Sequence, residues 1–364
     1  MWNNTRVTQL LQIDYPIFQG PFGGRFSSPE LVATVSNAGG LGGYGAYTLS
    51  PQEIRETDQQ IRALTPRPYN LNLWVSDADA PGSPVSDADY AVAQAAFKPY
   101  FEALGLPFPE KPAPFESRFQ NQLQAVLDIR PKVFSFVFGV LSADVMEQCR
   151  RAGIITIGAA TTPDEAVALE DSGVDMIIAS GFEAGGHRPS FLAPAERSLM
   201  GTSVLLQLVR EKVKVPVIAA GGIADGRGAA AALLLGAEAV QIGTAFLACD
   251  ESNAMPMHKQ QLFSPAAKQT TLTRAFTGRL GRGLVNSISE DLTGKENAVL
   301  PFPLQSTLMS SLRKAAIDQQ QWDKVFFWSG QIAPLLRHRK AKALMQSLIS
   351  DTAAFFERPA TTLA

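Results

Sequence analysis

Eight short, nearly uninterrupted apolar runs, separated by stretches of helical character, constrain this chain more than any other feature. They are YPIFQG, GLGGYG, YNLNLWV, KVFSFVFG, IITIGA, DMIIAS, VPVIAAGG and AVQIGTAFL, lying between Tyr15 and Leu247. The runs do not alternate apolar with polar, as expected of strands with helices on one face and packed side chains on the other. Several of the intervening stretches open with helix-start signals. Ser28 precedes Pro29, and Ser50 precedes Pro51 with Glu53 placed for a capping box. Eight such units predict an α/β fold, a closed (β/α)8 TIM barrel. The competing open, doubly wound sheet calls for a GxGxxG turn after the first strand, and QGPFGGRF does not supply it.

The rhythm breaks in two places, which gives a domain plan. Residues 1–75 form the first part of the barrel. Residues 76–130, rich in Pro, Asp, Ala and Phe, are longer than a simple strand-to-helix loop and form a helical excursion. Residues 131–249 complete the barrel, 250–322 form a smaller, mainly helical domain over its mouth, and 323–364 return to the barrel. This is large enough for a substantial core, since 46% of 364 residues are apolar.

Bulk properties exclude several classes. A net charge of -2 gives no basic footprint for nucleic acid. Cys149 and Cys249 form no CxxC pair, which favours a reducing compartment over a disulfide scaffold or structural zinc. MWNNTRVTQLLQIDYPIF carries no signal-peptide pattern, and no apolar run approaches the ~20 residues that span a bilayer. The expectation is a soluble cytoplasmic protein with neither nucleic-acid nor membrane partners.

In such a barrel, chemistry sits at the carboxyl ends of the strands. Two glycine clusters fall there, AAGGIADGRG after the seventh strand and QIGTAF at the end of the eighth. Gly221, Gly222, Gly243 and Thr244 can form a phosphate cradle from exposed amides, although glycines also serve simple tight turns. Asn72, near the end of the third strand, is an amide that is costly to bury alone; it can bind a heterocycle edge or tie down a loop. After the sixth strand, GFEAGGHRPSF places His187 on a loop bent by Gly181, Gly185 and Gly186. An imidazole at a barrel mouth suits proton transfer or the binding of an anion. Glu183 can orient either the loop or the ring. His258 and His338 have weaker settings. There is no HExxH, no His/Cys ligand cluster and no GxSxG elbow, so a cofactor, rather than zinc or a covalent nucleophile, is the economical source of reactivity. Phe22, Tyr44 and Phe182 are candidate walls of an apolar pocket.

These segments resemble the nitronate monooxygenase family, formerly called 2-nitropropane dioxygenases. The resemblance rests on GFEAGGHRPSF and VPVIAAGGIADGRGAAAALLLGAEAVQIGTAFL, on YPIFQGPFGG, SNAGGLGG and RPYNLNL, and on FTGRLGRGLVN and WSGQIAPLL. It covers most of the chain and is weakest after Val75. It implies FMN in a TIM barrel, its phosphate held by Gly221, Gly222, Gly243 and Thr244. Gln19, Gly20, Phe22 and Asn72 would surround the isoalloxazine ring, with Ser180 and Gly181 also beside the flavin. His187 matches the family's active-site histidine. The implied reaction is oxidation of alkyl nitronates by molecular oxygen to carbonyl compounds and nitrite, without a nicotinamide. His187 would hold the nitronate, or take the α-proton where a neutral nitroalkane is accepted. The chain departs from the family pattern at Ser180, where a larger polar residue is common, at Pro21, which has no N–H to offer near the flavin, and at Pro189, where glycine is common. Rival readings are an FMN-dependent NAD(P)H reductase of quinones or enoyl thioesters, and a flavin-binding protein without catalysis.

Overall fold

The computed structural model describes residues 1–75, 85–115 and 117–357; residues 76–84, 116 and 358–364, which include the expected start of the excursion and the chain's end, lie outside the described residues. Eleven strands are present among the described residues: β1 Ile17–Gln19, β2 Gly42–Gly45, β3 Tyr69–Trp74, β4 Val133–Val137, β5 Ile155–Ala160, β6 Met176–Ser180, β7 Gly186–His187, β8 Val217–Ala220, β9 Ala239–Ile242, β10 Thr270–Thr273 and β11 Gly281–Leu284. Eight of them form one parallel sheet in the order β1-β9-β8-β6-β5-β4-β3-β2. A parallel bridge between Phe18 and Leu41 joins β1 to β2 and closes the cylinder. The fold is the TIM barrel that the eight apolar runs predict, with additional helical elements forming a second region.

The local signals act as the sequence leads one to expect. Ser28 Oγ accepts from the Leu31 amide at 2.9 Å and starts the helix Pro29–Asn37. Ser50 and Glu53 form the reciprocal capping box of the helix Pro51–Leu64, at 3.2 and 2.7 Å.

Among the described residues the core has four parts, the smallest of them Val85, Ala93, Leu300, Leu304 and Leu308. Phe18, Leu41, Val133, Ile157, Met176, Ile178 and Ile218 fill the barrel, and Val7 and Leu11 of the helix Arg6–Leu11 join the same cluster. A larger layer lies between the sheet and its helices. A third cluster belongs to the second region, and Phe97 and Phe101 of the helix Asp87–Ala103 pack there with Leu262, Leu312 and Phe327. The helix Phe119–Ile129, by contrast, puts Leu123 and Val126 into the barrel's layer. The final helix, Ala341–Glu357, packs against Gly226–Leu234 on the barrel wall. Among the described residues no helix is long and apolar enough to cross a membrane.

β7 and β11 seat the second region on the barrel. His187 pairs with Gly281 and Gly186 with Arg282, while β11 pairs antiparallel with β10. The histidine loop is therefore the edge of a three-stranded sheet whose other two strands belong to the second region.

Candidate active site

A cavity of about 750 Å³ opens between the carboxyl ends of the barrel strands and the second region. Gly20, Phe22, Asn72, Ser180, His187, Gly221, Gly222, Gly243 and Thr244 all line it. Gln19 and Gly181 do not. Gln19 is buried one layer deeper, its Oε1 accepting from the Gly43 amide at 2.9 Å and its Nε2 donating to the Gly20 carbonyl. It braces the first strand's turn. Gly181 is small because the chain is crowded there: a Cβ would lie 1.9 Å from Thr202 Oγ1 and 2.6 Å from Thr202 Cα. Tyr44 and Phe182 also sit outside the cavity lining, and the aromatic walls come instead from residues such as Trp74, Phe138, Phe302 and Trp328.

His187 is half-buried, with protein on most sides and the cavity on the remainder. Ring centroids of Trp328 and Trp74 lie 4.7 and 5.2 Å away, and those of Phe302 and Phe138 at 6.2 and 6.5 Å. Nε2 is 2.8 Å from Thr277 Oγ1. Loss of hydration, with a smaller contribution from the Arg279 charge, lowers the His187 pKa from its usual range to about 3. The imidazole is thus neutral near pH 7, and it meets an incoming anion without a charge of its own.

The loop carrying His187 is fastened from below. Arg188, almost fully buried, donates to the carbonyls of Ser180 at 3.0 Å, Gly181 at 2.6 Å and Ser198 at 2.8 Å. Glu165 Oε1 accepts from the amides of Phe191 at 2.6 Å and Leu192 at 3.1 Å. Glu183 serves the loop rather than the imidazole: its carboxylate accepts from the Thr202 amide at 2.9 and 3.0 Å and from Thr202 Oγ1 at 2.9 Å. Among the described residues it is also the one carboxylate lining the cavity, and Arg118, Arg313 and Lys324 line it as well. Lys324 is paired with Asp323 at 3.0 Å, so among the described lining residues the excess positive charge comes from Arg118 and Arg313 over Glu183, which suits an anionic ligand.

The residues fit a flavin phosphate with its heterocycle. Gly221 and Gly222 have φ of +108° and +68°, so their backbone turns in a way L side chains resist. A Cβ on Gly243 would have nothing nearer than Phe22 at 4.0 Å, so a ligand can approach that backbone closely. Two amide oxygens await donors. Asn72 commits Nδ2 to Ser135, at 3.0 Å to Oγ and 3.2 Å to the carbonyl, and no hydrogen bond engages its Oδ1 among the described residues. Gln241 Oε1 is buried without any partner, and the residue lines the cavity. Acceptors of this kind match the N–H edge of a heterocycle.

Gln241, Thr277, Trp74 and Trp328 are site residues that the sequence reading passes over. Gln241 could have been found by the argument applied to Asn72, that an amide within a barrel strand needs a partner. Thr277 and Trp328 lie 90 or more residues beyond His187, and only the fold brings them together. No cluster of three His, Cys, Asp or Glu capable of holding a metal occurs among the described residues.

Barrel, glycine cradle and histidine loop together define a (β/α)8 enzyme with a phosphate-bearing cofactor site under a second region. A family model described as nitronate monooxygenase matches residues 4–351, and the chain belongs to that family. Proteins called probable nitronate monooxygenase in Staphylococcus aureus strains Newman and N315 are each 38% identical over 352 residues, covering 96% of this chain and 98% of theirs. A solved nitroalkane oxidase from Streptomyces ansochromogenes aligns with a TM-score of 0.87 at 36% identity, over 96% of this chain and 98% of its own. The structure of FabK from Thermotoga maritima aligns at 0.73 and 28% identity, over 97% of each chain.

Proposed function

We propose that this protein oxidises alkyl nitronates with molecular oxygen, using FMN and releasing a carbonyl compound and nitrite. The observation that carries the reading is the pairing of a neutral, aromatic-boxed His187 with the glycine cradle in one electropositive cavity. Family membership and the likeness to the Streptomyces nitroalkane oxidase support the same chemistry.

Gly221, Gly222, Gly243 and Thr244 would hold the FMN phosphate, and Gly20, Phe22, Asn72, Ser180 and Gln241 would lie along the ring system. Gln19 and Gly181 would act from behind, one bracing Gly20 and the other letting the sixth strand pass Thr202. Bound FMN supplies the redox step between nitronate and oxygen. The chain's own residues do the rest: Trp74, Phe138, Phe302 and Trp328 exclude water around the alkyl group, and His187 presents a ring nitrogen at the reacting carbon. The cationic side chains attract the anion.

The same reading divides the chain at 75, 130, 249 and 322 into barrel, excursion, barrel, second domain and return. It places the protein in the cytoplasm, where two free, buried cysteines are at home.

The test is nitrite release from purified, FMN-loaded protein given propyl-2-nitronate in air, with NADH consumption followed in parallel. Rapid nitrite formation without NADH is expected. NADH oxidation driven by a quinone or enoyl thioester, with no nitrite, would overturn the assignment and favour the reductase reading. Tight FMN binding with no turnover of either kind, and no effect of His187→Ala, would favour a flavin-binding protein without catalysis.

A further inference from the structure

The hydrogen bond that His187 makes through its ring crosses from the barrel to the second region. Its partner, Thr277, lies between β10 and β11, and Thr277 Oγ1 is shared. It accepts from the Arg279 amide at 3.3 Å and lies 3.2 Å from the Arg279 carbonyl, to which it can donate. A threonine hydroxyl has one proton to give. If that proton goes to the Arg279 carbonyl, Nε2 of His187 must carry a hydrogen and donate it to Oγ1. Arg279 N–H, His187 Nε2–H and Thr277 O–H are then all paired. If the proton goes instead to Nε2, the Arg279 carbonyl loses this donor, and Nδ1 carries a hydrogen with no protein acceptor among the described residues. Buried polar groups favour the arrangement that pairs them all.

The rest of the ring is placed by packing. A Cβ on Gly281 would lie 3.2 Å from His187 Cδ2, so β11 covers that edge. Nδ1 takes no protein partner among the described residues, and the residue lines the cavity.

We propose that Thr277 is a positioning residue that fixes His187 as the Nε2–H tautomer and leaves the Nδ1 lone pair to the cavity as the base for neutral nitroalkanes. The inference rests on the nitronate-oxidising reading for its kinetic consequence, but not for its structural one. In the step, the α-C–H bond of the nitroalkane breaks and its proton passes to Nδ1. The electron pair moves onto the nitro group, giving a nitronate anion beside an imidazolium, and the new negative charge against the ring offsets the desolvation that otherwise holds its pKa low. Nε2–H stays on Thr277, and the proton leaves later to water. A preformed nitronate needs no base, so the same threonine matters much less for it.

The experiment has two arms on FMN-loaded protein. In the first, nitrogen-15 histidine NMR reads the tautomer directly; His258→Gln and His338→Gln variants assign the three sets of signals. His187 should show a protonated Nε2 and a bare Nδ1, and Thr277→Val should mix the two tautomers while Thr277→Ser preserves the first. In the second, kcat/KM is compared for nitroethane and for ethyl nitronate. Thr277→Val should lose roughly 100-fold on the nitroalkane, because the ring gives up its anchored position as well as its fixed tautomer and with them the gain of a positioned general base, but only about threefold on the nitronate, and Thr277→Ser should restore both.

A protonated Nδ1 in the parent protein, or a tautomer unmoved by Thr277→Val, overturns the proposal whatever the substrate. Equal losses on both substrates also overturn it, because they would mark a merely structural contact. Failure of every variant and the parent to release nitrite would sink the functional reading instead, and the NMR arm would still decide the role of Thr277.

Discussion

Glu165 should be the most sensitive position outside the cavity itself. It is wholly buried in the first turn of the helix Pro163–Asp171. Its Oε2 accepts from the Thr161 amide at 2.7 Å and Thr161 Oγ1 at 2.6 Å, while Oε1 accepts from the Phe191 and Leu192 amides. One carboxylate thus ties the end of the fifth strand to the loop that carries His187. Glu165→Gln keeps the shape but turns one oxygen into a donor. The glutamine loses least with its NH2 toward Thr161, whose hydroxyl can rotate to accept. The Thr161 amide is then orphaned, and the bonds to Phe191 and Leu192 lose their charge assistance. Bonds to charged groups are worth about 1.5–3 kcal/mol and neutral ones about 1. One lost and two weakened bonds sum to about 3 kcal/mol. If that energy holds the loop closed, amide exchange of the segment around Phe191 and Leu192 should accelerate roughly 100-fold, at 1.4 kcal/mol per tenfold. Hydrogen-exchange mass spectrometry of that peptide, with the rest of the barrel as an internal reference, reads the change. Exchange within about threefold of the parent, in a variant that keeps its fold, would refute the idea that this carboxylate fastens the histidine loop.

Gly221→Ala should cost FMN retention more than folding: φ is +108° and the new Cβ would lie 2.8 Å from Thr202 Oγ1. Gly236→Ala, with φ of +100° away from the cavity, is the control. After desalting, the first should emerge pale and the second yellow. Acid should weaken the flavin-free protein early. The folded pKa values of His187, about 3, and His258, about 4, both fall below the usual 6.5, chiefly because burial disfavours the charged ring. The unfolded chain therefore binds protons more readily, so their contribution to stability is intact above about pH 6.5 and drains away down to about pH 4 and 3. Two such groups cost on the order of 3 kcal/mol between pH 6.5 and 5. Urea titrations should show this slope, and His258→Gln should remove about half of it; a pH-independent midpoint over that range would contradict the burial argument.

The barrel was legible because its strands are short, mostly apolar and separated by capped helices, each a local property. The histidine loop stood out for a related reason, since glycines clustered around an imidazole conflict with simple packing. What escaped is long-range. The His187–Thr277 hydrogen bond spans 90 residues, and nothing in FTGRLGRGLVN says which barrel loop it will meet. Gln19 sits where a strand ends and looks available to a ligand. Its side chain is consumed by the Gly20 carbonyl and the Gly43 amide because the first and second strands close the barrel there. The excursion reads as a helical unit, yet Phe97 and Phe101 pack with the second region while Leu123 and Val126 pack with the barrel. Apolar spacing shows that a face is buried, not against what.

The division of labour between the two regions follows from these contacts. The barrel alone can present the glycine cradle, because Gly221, Gly222, Gly243 and Thr244 all stand at the ends of β8 and β9. It cannot by itself complete His187. β11 supplies the strand that the histidine pairs with, Thr277 supplies the ring's hydrogen-bond partner, and Phe302 and Trp328 supply half of its aromatic surround. On the proposed reading, cofactor holding and proton chemistry would fall to different parts of the chain and meet only when the second region is seated. A substitution that loosens β7 from β11 should therefore leave the phosphate cradle intact and disturb the histidine. One that damages the cradle should leave the imidazole in its aromatic setting. The amide of Gly330, held at 2.9 Å by Thr244 Oγ1, is where these two sets of contacts touch, and it links the cradle to the chain segment that carries Trp328.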